Sequence, residues 1–197
     1  MKRNLAALVT SKSGTWGTPV DFFSWIDRQF AITVDVCALP SNTKHPRFFS
    51  PADNGLSQSW AGESAWMNPS YGRGIGQWID KARDEAMLER ALVVQLLPAR
   101  VDTDWWRRYV MSSDGAAGKL MRSEYDTASG MHWLRWAGLI TGVYFHTERL
   151  CFEGMADDSG DSAPFPSAVV VHAHPSRRPP RPTLEPGEVC LTARWPR

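Results

Sequence analysis

The sequence predicts an α/β domain: a mostly parallel central sheet covered by helices on both faces. Three observations carry this. Short runs of β-branched and apolar residues alternate with segments of helical period between residues 16 and 173, the pattern of strand and helix in turn. Residues 91–97 are a continuous apolar run, as expected of a central strand buried on both faces. The chain has 197 residues, 43% hydrophobic and 22% charged, enough for one substantial core and cramped for two.

The elements follow in order. Residues 1–15 are polar and read as a flexible N-terminus. Thr18 then offers an N-cap, with Pro19 at the first helical position and Asp21 three residues after the cap. Phe22, Phe23, Ile26 and Phe30 recur at helical spacing and give this helix one apolar face. Residues 31–37 read as the first core strand, ending near Asp35. Ligands gather at the carboxyl ends of strands in open α/β sheets, and an unpartnered carboxylate is costly to bury, so Asp35 is a candidate binding residue. Asp53, in the loop before Gly55, suits a turn or a ligand contact equally.

A short strand at residues 65–67 stops at Asn68-Pro69-Ser70-Tyr71. Residues 77–91 read as an amphipathic helix and 91–97 as the central strand. Asp102 or Thr103 can cap a further helix whose stripe of Trp105, Trp106, Tyr109 and Val110 reads as core. Residues 112–138, with Gly, Ser and Asp clusters around Trp133 and Trp136, read as an insertion or a lid. Residues 141–146 and 149–152 look like two tightly joined strands, 155–162 like a flexible acidic loop, and 167–173 like the last strong strand. Pro164-Phe165-Pro166 could present Phe165 to a ligand or plug the core with it. From 174 to 197 prolines and arginines form a tail with a phosphate-binding role in view.

Composition excludes several classes. A formal net charge of +1 gives no global nucleic-acid signal, so any DNA contact is local. The candidates are Lys2, Arg3, Lys12, Lys44, Arg47, Arg73, Arg107, Arg108, Lys119 and Arg122. Three cysteines at 37, 151 and 190 lack the spacing of a disulfide framework or zinc site and fit a reducing cytoplasm. His172 and His174 read as packing or surface residues, so no metal is expected. No segment reads as a signal peptide or membrane span. The sequence carries no signal for an oligomeric state.

The Asn68 turn is the most informative feature. It sets an amide side chain, a rigid carbonyl and an aromatic ring at a strand end, groups suited to gripping a planar, amino-bearing base. An exocyclic amine is a poor nucleophile because its lone pair is delocalised into the ring. The Asn68 side-chain oxygen and the Pro69 carbonyl can accept both amine hydrogens as the nitrogen becomes tetrahedral, stabilising charge that grows only in the transition state. Tyr71 would stack on a base extruded from its duplex.

These residues have company. Trp16-Gly17-Thr18-Pro19, Thr33-Val34-Asp35-Val36-Cys37-Ala38, Asn42, Lys44, Arg47-Phe48-Phe49, Asp53, Gly55-Leu56, Trp60 and the Asn68 turn are collinear with the signatures of one family, as are residues 96–105 and 163–171. The chain resembles the phage-type, Dam-like DNA N6-adenine methyltransferases. The resemblance implies a Rossmann-like methyltransferase fold over residues 16–173, S-adenosylmethionine as cofactor, double-stranded DNA as partner and direct methyl transfer to the adenine N6 amine. By the same resemblance Asn68, Pro69 and Tyr71 are catalytic. Trp16, Thr18, Pro19, Asp35, Ala38 and Asp53 border the cofactor, and Ser70, Arg73 and Phe165 face the target base or DNA. Two departures stand out: Ser70 replaces the family's second proline, and, relative to methyltransferases at large, the loop after the first strand, Cys37-Ala38-Leu39-Pro40-Ser41-Asn42, has no glycine. Alternatives are methylation of cytosine N4, an RNA base or a protein glutamine amide, and an inactive DNA-binding protein on the same fold. A nicotinamide oxidoreductase is disfavoured, since no GxGxxG follows the first strand.

Overall fold

A computed structural model of the chain describes residues 16–111, 120–126, 131–136, 139–146, 149–153 and 163–177. The expectations for residues 1–15, for the 155–162 loop and for the tail beyond 177 lie outside the described residues. So do Lys2, Arg3, Lys12, Lys119 and Cys190.

Seven strands form one sheet: β1 (Val34–Asp35), β2 (Ser64–Met67), β3 (Leu92–Pro98), β4 (Leu120–Asp126), β5 (Met131–Trp136), β6 (Ile140–Phe145) and β7 (Ser167–Ala173). They lie in the order β1-β2-β3-β7-β6-β5-β4. Pairings β1·β2 and β2·β3 are parallel; β3·β7, β6·β7, β5·β6 and β4·β5 are antiparallel. The sheet is therefore mixed, and the expectation of a mostly parallel one is corrected. For β4·β5 and β5·β6 the cause is connection length: a parallel pair needs a crossover of a dozen or more residues, whereas only 127–130 link β4 to β5 and 137–139 link β5 to β6.

Helices do cover both faces. Along β3, Leu92, Val94 and Leu96 join α1 (Val20–Phe30) in one apolar cluster, while Val93 and Leu97 join α2 (Ile75–Leu88) in another. All seven β3 residues are buried, which is why the segment reads as an unbroken apolar run. The two central strands, β3 and β7, appear within a residue of the boundaries predicted for them.

Four local expectations shift. α1 begins at Val20 with Pro19 as its N-cap residue, and Thr18 does not cap it. The first strand is only two residues long, although Thr33 and Val36 extend its bonding to Ser64 and Trp66. Residues 106–111 form a π-helical segment, Trp106–Met111, with Trp106 and Val110 buried and Trp105 and Tyr109 half-exposed. Residues 149–152 form no strand; their neighbour Glu153 makes an isolated antiparallel bridge to Gly17. Within 112–138 the described residues extend the sheet as β4 and β5.

Arg177 ties the tail to the amino ends of β2 and β3. Its guanidinium donates to the carbonyls of Gly62, Glu63 and Arg90 at 2.8–2.9 Å and to the Ser64 hydroxyl at 3.0 Å. Among the described residues, no helix is long and apolar enough to cross a membrane.

Candidate active site

The opposite end of the sheet carries the candidate site. β1, β2 and β3 run the same way, so Asp35, Asn68 and Arg100 all lie at or just beyond carboxyl ends. The antiparallel β7 enters from this end, and the Ala99 amide bonds the Pro166 carbonyl at 2.8 Å, which brings Phe165 alongside.

Asn68 is the hub. Its Nδ2 donates to the Trp16 carbonyl at 2.9 Å and to the Thr18 hydroxyl at 3.0 Å. That fixes the amide plane and aims Oδ1 at Tyr71, whose hydroxyl donates to it at 3.0 Å and approaches the Leu96 carbonyl at 3.2 Å. An amide oxygen has two lone pairs, so Oδ1 can still accept from a substrate amine. The Pro69 carbonyl accepts no hydrogen bond among the described residues. Burial pushes the Tyr71 phenol well above its ordinary value, with the neighbouring Cys37 adding to this, so the group remains a hydroxyl donor.

Aromatic rings wall this hub. Trp16 stacks on Phe165 with centroids 5.3 Å apart and meets Phe152 at 5.4 Å. Tyr71 stands edge-on to Trp16, Phe152 and Phe165. Phe165 is buried, and the Arg100 guanidinium lies 5.9 Å over its ring. Ser70 is exposed, and its carbonyl accepts from the Gly72 amide.

Asp35 sits beside the hub, buried to 3% exposure. Oδ1 accepts from the Cys37 amide at 3.3 Å and Oδ2 from the Lys44 amide at 3.1 Å, so the carboxylate folds the loop after β1 back on itself. Burial nonetheless raises its pKa to about 6; those two amides and the Lys44 charge oppose the rise. Ala38 is buried and its amide bonds the Phe49 carbonyl. The glycine-free loop instead turns through Asn42, whose Oδ1 accepts from the Leu39 amide at 2.7 Å. Gly55 supports β1 from below: a Cβ there would lie 2.1 Å from the Val36 carbonyl oxygen. Cys37 bridges the two halves, its thiol close to the Asn68 backbone amide. Burial, then the Asp35 charge, raises the thiol well above its usual range, which leaves it a poor nucleophile.

The structure thus brings together Trp16, Thr18, Asp35, Asn68, Tyr71 and Phe165, and Pro19 and Ala38 flank them. Asp53 stands in an exposed turn, where Oδ2 accepts from the Ser50 amide and hydroxyl; those bonds hold its carboxyl below the usual range. Of the basic candidates, Lys44 pairs with Glu153 at 2.5 Å and Arg47 with Glu63 at 2.6 Å, whereas Arg73 makes no ion pair among the described residues. Sequence reasoning missed Phe152, Glu153 and the Leu96 carbonyl. No local pattern marks them; Lys44 and Glu153 are 109 residues apart. His172 is a core residue bonded to Gln95 at 3.1 Å, and burial lowers its pKa to about 3. Among the described residues, no group of three His, Cys, Asp or Glu could hold a metal ion.

Residues 6–116, more than half of the chain, match the family described as DNA N-6-adenine-methyltransferase (Dam). The chain belongs to the Dam family. Among curated relatives, a protein named DNA N-6-adenine-methyltransferase from Haemophilus phage HP1 (strain HP1c1) is 33% identical over 98 residues, 49% of this chain and 56% of that one. The chain therefore matches little more than half the length of this relative. The Dam match contains the Asn68 turn, Asp35 and the Trp16 loop, and it ends before β4, so Phe152, Glu153 and Phe165 lie outside it.

Proposed function

We propose that this Dam-family chain transfers a methyl group from S-adenosylmethionine to the N6 amine of adenine in double-stranded DNA. It would do so in the cytoplasm of a bacterial or phage-infected cell, on a variant of the Rossmann-like methyltransferase fold. The observation that carries this is the Asn68 amide, clamped through Nδ2 by Trp16 and Thr18 so that Oδ1 meets the Tyr71 hydroxyl.

The residues present fit both ligands. Asp35 and Thr18 offer a carboxylate and a hydroxyl beside the aromatic wall, a donor and acceptor set suited to the polar ends of a nucleoside linked to an amino acid. When bound, S-adenosylmethionine supplies an electrophilic methyl group. Asn68 Oδ1 and the Pro69 carbonyl would accept hydrogen bonds from the two amine N–H groups and so orient the nitrogen lone pair, the donor leaving as S-adenosylhomocysteine and one amine proton passing to solvent; Tyr71 would support the base, and Trp16, Phe152 and Phe165 would exclude water. Proximity and fixed acceptors, with no covalent enzyme intermediate, account for the acceleration. The raised thiol of Cys37 agrees with this, since methylation at a ring carbon needs a thiolate.

The test is to express the chain with plasmid DNA and map N6-methyladenine at base resolution, with Asn68→Ala as control. Modified adenines at a defined sequence, absent with the variant, support the reading. Methylation at cytosine N4 alone, or cofactor binding without methylation of any DNA, would replace it.

A further inference from the structure

A second concave surface begins where the Asn68 turn ends. A cleft of about 440 Å³ lies between the turn leading into α2 and the π-helical segment, lined by Gly72, Arg73, Ile75, Gly76, Asp104, Trp105, Arg108 and Tyr109. Its make-up is unlike a packing defect. Arg73 and Arg108 are exposed, and neither has a carboxylate partner among the described residues. The one acid in the lining, Asp104, is occupied by Arg107. Gly72 and Gly74 have open space where a Cβ would stand, so backbone is accessible on this side. α2 starts here with no side-chain cap and no acid in its first turn, which leaves the positive end of the helix dipole uncompensated.

The opposite wall is aromatic and stiff. Tyr109 lies between the buried Arg83 and the exposed Arg108, 5.9 and 5.6 Å from its ring centre, and Trp105 packs edge-on against buried Trp106. The stripe expected to be core is therefore split: Trp106 and Val110 face inward, while Trp105 and Tyr109 show ring surface to the cleft. Cations, an uncapped helix start and half-exposed rings together suit an anionic, sugar-bearing chain.

We propose that this cleft holds the DNA strand beside the extruded adenine, with Arg73 and Arg108 on successive phosphates and Trp105 and Tyr109 against the sugar or neighbouring base. The assignment rests on the DNA-methyltransferase reading above and adds to it a second, non-catalytic contact. Arg73 is five residues from Asn68, so at ~3.3–3.6 Å per residue its backbone lies within about 18 Å of the base-gripping amide, a span of a few nucleotides.

The experiment compares wild type with Arg73→Gln/Arg108→Gln on a short, fluorescently labelled mixed-sequence duplex across a salt series, with S-adenosylhomocysteine calorimetry and thermal melting as controls. Each phosphate contact contributes about 0.9 to the slope of log affinity against log salt, so the double variant should lose about 1.8 while cofactor binding and melting stay at wild-type values. Arg73→Lys/Arg108→Lys should keep most of the slope. Methylphosphonate substitution along the duplex, one phosphate at a time, should weaken wild type at positions where the Gln variant is indifferent. An unchanged slope in the Gln variant, or equal losses for both proteins at every substituted phosphate, overturns the cleft assignment, even with methylation intact. A wild type that binds DNA with an Arg73-dependent slope yet methylates nothing keeps the cleft and removes the catalytic reading. No DNA binding by wild type overturns both.

Discussion

Thr18→Val isolates the clamp on Asn68. Valine matches threonine in shape, so the buried position gains no cavity, and the single atom that changes is the Oγ1 accepting from Asn68 Nδ2 at 3.0 Å. One of the two Nδ2 hydrogens keeps the Trp16 carbonyl at 2.9 Å; the other is left without a partner. A part-buried donor stripped of its acceptor costs about 1–3 kcal/mol. Rotating the amide offers no escape, because Oδ1 would then face the Trp16 carbonyl. If the clamp holds Oδ1 for the transition state, that cost appears in turnover, a loss of about 5- to 150-fold at about 1.4 kcal/mol per factor of ten. Asn68→Ala, which removes the acceptor itself, should lose two to three orders of magnitude, the scale of one transition-state hydrogen-bonding group. The assay is single-turnover methylation of a mapped plasmid site, with S-adenosylhomocysteine affinity measured by calorimetry. Wild-type turnover with a tenfold weaker cofactor affinity would refute the clamp and return Thr18 to the cofactor-bordering role read from the sequence.

Other outcomes follow from single groups. Burial raises the Asp35 pKa from an ordinary 3.8 to about 6, so its contribution to stability is fully present below pH 3.8 and is lost as pH rises through 6. The unliganded protein should lose stability across that window, and S-adenosylhomocysteine affinity should rise across it as the carboxylate ionises; flat calorimetric affinity between pH 5 and 7.5 counts against a cofactor role for Asp35. Arg177→Ala removes four hydrogen bonds from a half-buried guanidinium and should cost about 2–3 kcal/mol, read as a melting temperature lower by about 5–10 °C. Unchanged melting, with a shallower salt dependence of DNA binding, would move Arg177 from the sheet to the substrate. Ser70→Pro restores the family's second proline; if the turn is loose, methylation rises at constant cofactor affinity, and joint loss of melting temperature and activity shows that the proline does not fit here.

How much was legible divides along physical lines. The sequence by itself determined what is local: the helical period behind α1 and α2, the unbroken apolar runs of β3 and β7, and the Asn68 turn that ends β2. A run of buried side chains or a proline acts within a few residues, and so leaves a mark in the order of residues. Strand direction is different, because the same apolar run serves a parallel or an antiparallel neighbour; the short links at 127–130 and 137–139 decided it for β4·β5 and β5·β6, and the insertion of β7 between β3 and β6 added two more antiparallel pairs. Tertiary structure also decided what each polar atom touches. Thr18 carries every mark of a helix cap, yet its hydroxyl accepts from Asn68, 50 residues away, and Arg177, in a segment that reads as a tail, bonds carbonyls 87 to 115 residues earlier. Those partners are fixed by which loops the sheet brings to one end, information that no window along the chain contains.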